Sequence, residues 1–469
     1  MSFTDFSFYL IFPLFFAVYW AIPSKYHSAR NYLLLIASYL FYMNWNPAFS
    51  IVLLLVTVVT YLGGLRKGRL LPMVVLALIP LLTFKYYDFL NHNITWLLSV
   101  LGLHFKMSGL NWAIPIGISF FTFQAVGYLL DVHRGRVNAE MNFANYALFV
   151  SFFPQIMSGP ISTAKELMPQ IKGIRLFQYQ QGKEGLKLLV WGLFLKLVIA
   201  DRIGLYVDTV YPNYTFYSGA VCLFASVLYT IQIYCDFAGY SLMAIGIAKT
   251  LGFDLVNNFR RPYFASSITE FWKRWHISLT RWLTTHVYIE LGGNRCSKTR
   301  QYVNIMTTFL VSGLWHGANW TFVIWGGIHG FFQVLEKFLF GDRLKKELKD
   351  NNRRMSYLRL LRICITFSIV SFAWIFFRMP SLSDAVSFIS KIIVDFGSFS
   401  LAPLDNTSAA ILAMALLVLL LREIREECCP RKMKVLNKPI TKWFFYLWVT
   451  CFILLMGVLD GGQFIYVSF

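Results

Sequence analysis

Runs of apolar residues about as long as a membrane-crossing helix, separated by short polar loops, recur along almost the whole chain. The pattern predicts spanning helices near 6–22, 31–46, 48–64, 70–86, 111–130, 143–158, 185–203, 218–235, 302–320, 321–340, 357–378, 404–421 and 442–459. Two shorter runs, 93–103 and 237–251, read equally as re-entrant or buried pieces. The expectation is an all-α polytopic protein of about 11–13 spans by the length criterion, with re-entrant and interfacial helices and a single domain over 1–469. The first run, FSFYLIFPLFFAVYWAI, follows an acidic residue and lacks a basic leader, so it reads as a retained helix. The basic loops PSKYHSAR (23–30) and LRKGR (65–69) flank a neutral NPAF, which predicts an outside N-terminus and cytoplasmic basic loops. The charged loop 422–442 is expected on the cytoplasmic side as well.

One stretch breaks the pattern. Residues 257–300 are too basic to cross a membrane and too aromatic for a plain loop. Within it, SSITEFWKRWHISLTRWL begins like a capping box, with Ser267 three residues before Glu270. Trp272, Trp275, Leu279 and Trp282 recur at helical spacing, with Lys273, Arg274 and Arg281 off that stripe. This predicts one amphipathic helix lying at the membrane interface.

Composition agrees with membrane residence. The chain is 57% hydrophobic and only 14% charged, too little charge to cover a soluble globule of 469 residues. Its mean hydropathy is +0.55. The net charge of +20 is spread over short loops rather than gathered in a basic domain, so no nucleic-acid partner is expected; the lipid bilayer is the environment implied. Seven cysteines show no CxxC pair and no metal spacing.

The chemistry-bearing candidates are few. Of eight histidines, His27, His92 and His104 fall near span ends, while His133 and His286 sit in basic or interfacial segments. His276, His316 and His329 remain. His316 lies in SGLWHGANW, inside a run that is otherwise apolar, where an imidazole marks either a functional site or a satisfied structural hydrogen bond. Gly313 and Gly317 leave room beside it, Trp315 and Trp320 offer flat walls, and Asn319 three residues on could orient the ring or a substrate. His329 would stand roughly 20 Å away on a continuous helix, and nearer if the chain turned at Gly326-Gly327. A neutral imidazole in a dry cavity is a competent base near neutral pH. In QIYCDFAGYS, Asp236 requires a partner, with Gln232 and Tyr240 on its face and the following basic stretch as a source of cations; a structural polar network and a role in orienting a catalytic group stand side by side. No GxSxG elbow, HExxH, P-loop or GxGxxG occurs, so the chemistry expected is histidine-based proton transfer without a metal or bound cofactor.

Taken together, FWKRWHISLT, LGGNR, SGLWHGANWTFVIWGGIHG, IYCDFAGYS and SFFPQIMSGPI resemble the membrane-bound O-acyltransferase family, in particular its branch of alginate O-acetylation membrane proteins, and beyond it the proteins that transfer D-alanine to lipoteichoic acid. The resemblance runs over nearly the whole chain. It implies helices around a central funnel in a multi-pass protein of the inner (plasma) membrane, with His316 and His276 as the two characteristic histidines. It further implies acetyl-CoA as donor substrate, an extracytoplasmic polysaccharide as acceptor, and a periplasmic or membrane-anchored SGNH-hydrolase-like acyltransferase partner carrying a Ser-His-Asp triad. Asn319, Asp236, Trp315, Gly317 and His329 would line or orient the funnel, and Lys273 and Arg274 would stand at the donor entrance. Two departures from the branch are Thr284-Thr285, where an Arg-Asp pair is frequent, and Leu242 after GYS, where an aspartate is frequent. D-alanyl transfer from an acyl carrier protein thioester is the alternative within the family; a transporter or channel with a histidine proton relay is the alternative outside it.

Overall fold

A helix satisfies its own backbone polar groups, which hydrocarbon cannot do for it. A computed structural model describes residues 2–66, 68, 70–103, 108–110, 112–157, 159–349, 356–428 and 439–458, and no strand occurs among them. His104, Lys67 of the basic loop 65–69, much of the 422–442 loop and the terminal GGQFIYVSF lie outside those residues. The protein is an all-α polytopic membrane protein. Among the described residues, five helices are long and apolar enough to cross a bilayer: Pro47–Leu65, Leu70–Val100, Gly219–Thr250, Tyr357–Arg378 and Asn406–Cys428. Phe6–Ala21 and Ser24–Met43 would form a sixth span as a pair bent by 105°.

This strict count is lower than the number of apolar runs because some runs merge into one helix and others supply helices too short to cross a bilayer alone. The runs at 218–235 and 237–251 are one 32-residue helix, Gly219–Thr250, most of whose apolar window is buried. The run at 143–158 supplies only the nine-residue helix Phe143–Ser151.

By packing, the chain divides into two compact units, Met1–Leu186 with Ala244–Val256, and Lys187–Met243 with Asn257–Phe469. In the first, buried hydroxyls turn back on their own helices, as Ser38 does to the Leu34 carbonyl (2.7 Å) and Thr57 to that of Leu53 (2.7 Å). Arg175 ties its loop to the helices, donating to Tyr19 Oη at 2.9 Å and to Asn31 Oδ1 at 2.5 Å.

The second unit holds every candidate of the site. Its central feature is a helical hairpin, Lys298–His316 followed by Trp320–Lys349, the latter broken at Gly341 (φ 45°). The two helices meet along glycines. A Cβ on Gly313 would stand 2.2 Å from the Phe322 carbonyl oxygen, and one on Gly326 would stand 2.3 Å from that of Phe309. Gly317 likewise makes way for the Phe322 ring, 2.1 Å from where its Cβ would be. The chain therefore reverses at 317–319 rather than at Gly326-Gly327, and the room at Gly313 and Gly317 is filled by the partner helix.

The 257–300 stretch is not one interfacial helix. It forms two short helices, Ile268–Trp272 and Ile277–Leu283, interrupted where His276 takes left-handed backbone angles (φ 42°, ψ 54°). The break takes the tryptophans out of a single stripe: Trp272 and Trp275 are buried and only Trp282 is half-exposed. The N-terminus is capped much as its sequence suggests. Ser267 Oγ accepts from the Glu270 amide at 3.0 Å, while the Glu270 carboxylate returns to the amide of Ser266 (2.8 Å), one residue earlier than in a regular box. Glu336, from the hairpin's second helix, accepts from the amides of Ile268 (2.5 Å) and Thr269 (2.9 Å).

The glycine seam yields a direct expectation. Gly326→Val forces a branched side chain against a carbonyl, and overpacking of this kind costs about 1–3 kcal/mol. Thermal unfolding in detergent should fall clearly for Gly326→Val. Gly327→Ala, whose Cβ would meet only Leu310 Cδ2 at 3.8 Å, should leave it unchanged. Equal stability for the two variants would contradict this packing.

Candidate active site

The hairpin turn places His316 as the last residue of the Lys298–His316 helix, 2% exposed. Its ring meets the indoles of Trp315 and Trp325 edge-on, each at 4.9 Å between centroids, and Phe377 at 5.3 Å. Trp325 also contacts His329 at 4.9 Å, so the two histidines flank one indole and lie far closer than a continuous helix would allow. His329 Nδ1 accepts from Trp272 Nε1 at 3.3 Å. Trp315 in turn stands between His316 and His276, with centroids 5.8 Å apart on the His276 side. Three imidazoles are thus interleaved with two indoles in the order His276, Trp315, His316, Trp325, His329.

His276 is fully buried, and burial pushes its pKa down to about 3, so the ring is neutral across physiological pH. Phe237 packs edge-on against it at 4.7 Å. Its Nδ1 is 3.1 Å from Asn258 Oδ1.

Two expected members are placed otherwise. Asn319 does not orient His316: its Oδ1 accepts from the Thr321 amide (3.0 Å) and its Nδ2 donates to the Pro380 carbonyl (2.7 Å), fixing the start of the next helix. Trp320 is 51% exposed.

Asp236 does have a cationic partner, but from upstream rather than from the basic stretch that follows. Lys196 Nζ lies 2.7 Å from Asp236 and 2.6 Å from Asp201, all three buried. Glycines again create the approach: a Cβ on Gly192 would stand 2.6 Å from the Gly239 carbonyl oxygen. The close crossing lets Lys196 reach across, with the Tyr240 ring beneath its ammonium at 5.5 Å.

Lys273 and Arg274 are adjacent in sequence and about 100° apart around a helix, and they part company. Arg274 is buried, donating to Glu270 at 2.5 Å and to both oxygens of Glu427 at 3.0 and 3.1 Å. Glu427 also receives Arg261 (2.9 Å) and Arg359 (3.0 Å). Burial opposes charge on both Glu270 and Arg274, yet their pairing prevails: Glu270 stays below the ordinary carboxylate range and Arg274 above the ordinary guanidinium one. Arg274 is a structural cation. Lys273 is exposed and edges a cavity of about 330 Å³, a size suited to a small ligand. Lys337, Asn294, Gln333 and the hydroxyls of Thr280, Thr284, Thr308 and Ser312 also line it, over a floor that includes Trp272 and Phe309. Ser312, which lines the cavity, is one helical turn before His316, about 6 Å of axial rise; His316 itself is not among the lining residues.

Lys337 and Asn258 escape a reading by sequence. Lys337 comes from an apolar helix well downstream of the basic stretch, and Asn258 was legible only as part of the polar run NNFRRPY. Among the described residues no cluster of three or more His, Cys, Asp or Glu could hold a metal ion.

Three buried imidazoles near a cation-edged cavity in a polytopic helical protein suit an enzyme that works within the membrane. Residues 83–377 match the membrane-bound O-acyltransferase (MBOAT) family, and the chain belongs to it: it is an acyltransferase. It is 37% identical to the probable alginate O-acetylase AlgI of Azotobacter vinelandii over 88% of this chain and 81% of that protein. Identity is 35% to the peptidoglycan O-acetyltransferase of Helicobacter pylori, over 81% of this chain and 76% of that one. The teichoic acid D-alanyltransferase of Bacillus subtilis is 26% identical over 65% and 76%.

The buried lysine gives the expectation here. Lys196→Met leaves two carboxylates enclosed without their cation and should destabilise the protein on the order of 3–5 kcal/mol. Adding Asp201→Asn and Asp236→Asn should recover most of the loss in thermal unfolding. A single Lys196→Met variant as stable as the parent would show that the pair carries no such weight.

Proposed function

We propose that this enzyme passes an acetyl group from acetyl-CoA, bound on the cytoplasmic side, toward O-acetylation of an extracytoplasmic polysaccharide, with His316 as the base. The observation that carries this reading is the position of His316, buried between two indoles and one helical turn from Ser312, which lines the cavity edged by Lys273 and Lys337. The lysines suit the phosphates of a nucleotide thioester, and the half-apolar floor suits its pantetheine arm. An acceptor hydroxyl gives its proton to the imidazole of His316 as its oxygen attacks the thioester carbonyl. The C–S bond then breaks, and the leaving thiolate takes the proton. His276, neutral and poorly basic, serves as a hydrogen-bond acceptor that orients the incoming hydroxyl. A cytoplasmic donor places the protein in the inner membrane. A triad-bearing SGNH-hydrolase-like partner outside would complete delivery to the glycan.

Acetyl transfer is favoured over D-alanyl transfer by similarity: the relatives named for O-acetylation match at 35–37% identity, those named for teichoic acid D-alanylation at 26–28%. A transporter has no such support, since the chain belongs to an acyltransferase family.

Purified protein given radiolabelled acetyl-CoA, with and without the partner hydrolase, tests the reading. Label transfer is expected, and His316→Ala should lower it by about 10²–10⁴-fold while the protein still inserts. Undiminished transfer by His316→Ala would end the assignment, and label accepted only from a D-alanyl carrier thioester would select the other donor.

The cavity gives a separate expectation. Lys273→Ala and Lys337→Ala should each raise the donor KM about fivefold with kcat held, the equivalent of ~1 kcal/mol of ion pairing. Arg274→Ala should lower stability instead. Unchanged donor KM in both lysine variants, with stability now dependent on anionic lipid, would mean that the lysines face headgroups.

A further inference from the structure

We propose that Asn258 is a positioning residue that locks His276 in the tautomer with its proton on Nδ1, so that Nε2 is presented as a hydrogen-bond acceptor. The inference rests on the reading of His276 as part of the acyl-transfer site.

The hydrogen bonds leave one consistent assignment. Asn258 Oδ1 lies 3.2 Å from the backbone nitrogen of Ser278, 2.9 Å from Ser278 Oγ and 3.1 Å from His276 Nδ1. A backbone N–H can only donate, so the amide must turn its oxygen, not its nitrogen, toward this corner. Facing that oxygen, His276 Nδ1 must carry the proton, and in a neutral imidazole the lone pair then belongs to Nε2. The amide keeps this orientation although Asn258 Nδ2 finds no acceptor among the described residues. Three accepted bonds on one side outweigh the bond forgone on the other.

Asn258 also sets the backbone beneath the ring. His276 is one of two non-glycine residues with positive φ among the described residues, a conformation that costs about 1–2 kcal/mol and persists only where its surroundings enforce it. The enforcement comes from the same segment. The Asn258 carbonyl accepts from the Ile277 amide at 2.9 Å, and the Arg274 carbonyl accepts from the Arg260 amide at 2.9 Å. Main chain and side chain of Asn258 thus hold residues 276–278, and Arg260 holds Arg274 on the other side of the helix break. With Phe237 at 4.7 Å and Trp315 at 5.8 Å packed on the ring, the imidazole has little room to turn over. Burial keeps it neutral, which is the state in which choice of tautomer decides whether it donates or accepts.

Nitrogen-15 NMR of histidine-labelled protein in nanodiscs tests this, with the His276 signals assigned by difference from His276→Gln. The expected spectrum has Nδ1 protonated and Nε2 unprotonated. Asn258→Ala should mix the two tautomers and lower kcat for acetyl transfer about 10- to 100-fold, with donor KM within about twofold of the parent. Asn258→Asp, which keeps an accepting oxygen in place, should retain the parent spectrum and more of the activity than Asn258→Ala. Ser278→Ala, which removes one donor and leaves the acceptor, should not alter the tautomer. A parent His276 protonated on Nε2 would overturn the proposal, as would an Asn258→Ala spectrum identical to the parent's. A tautomer that responds as expected in a protein that transfers no acetyl group would uphold the positioning and refute the functional reading instead.

Discussion

A polar group enclosed by hydrocarbon has no solvent to fall back on, so each must find its partner within the protein. That constraint organises the second unit. Lys196 is shared between Asp201 and Asp236, Glu427 gathers three guanidinium groups, and Asn258 takes three donors on one oxygen. None of these groups can move alone without stranding its neighbours, and a centre that must hold imidazoles in fixed relation gains its rigidity from that interdependence. Each such network also selects against alternative packings, because a shift of one helix by a turn would bury its charges unpaired.

The other recurrent device is contact between glycines and facing backbone. At Gly313 and Gly326 it closes the hairpin so that His316 and His329 share Trp325; at Gly192 it lets Lys196 reach Asp236. In lipid, helices lack a hydrophobic drive to associate, and small residues allow the close dispersion contact that takes its place. Glycines beside a histidine suggest space for a ligand. Here the space holds the other helix, and the ligand-sized void lies along the neighbouring face, toward Lys273, Ser312 and Lys337.

Much of this was legible from the sequence. The helical class followed from the apolar runs and the Ser267 cap from its spacing to Glu270, and the setting and motifs of His316 and His276 singled them out as candidates. What escaped depends on contacts distant along the chain. The partner of Asp236 is 40 residues upstream, and the carboxylate that claims Arg274 is more than 150 residues downstream. Helical periodicity also assumed that the helix continues. It treated Trp272, Trp275 and Trp282 as one face, whereas a single left-handed residue at 276 redirects everything after it. Asn258 carried no signal of its own, since an asparagine in a polar run has many ordinary explanations.

The arginine cluster bears on the order of biogenesis. Arg261, Arg274 and Arg359 are all synthesised before Glu427, and all three converge on it near the end of the Asn406–Cys428 helix. A nascent chain inserted as far as Tyr357–Arg378 therefore already holds three positive charges with no Glu427 to receive them, beside the segment that bears His276. Until the Asn406–Cys428 helix delivers that carboxylate, the three guanidinium groups lack the partner they share, although Arg274 can still pair with Glu270.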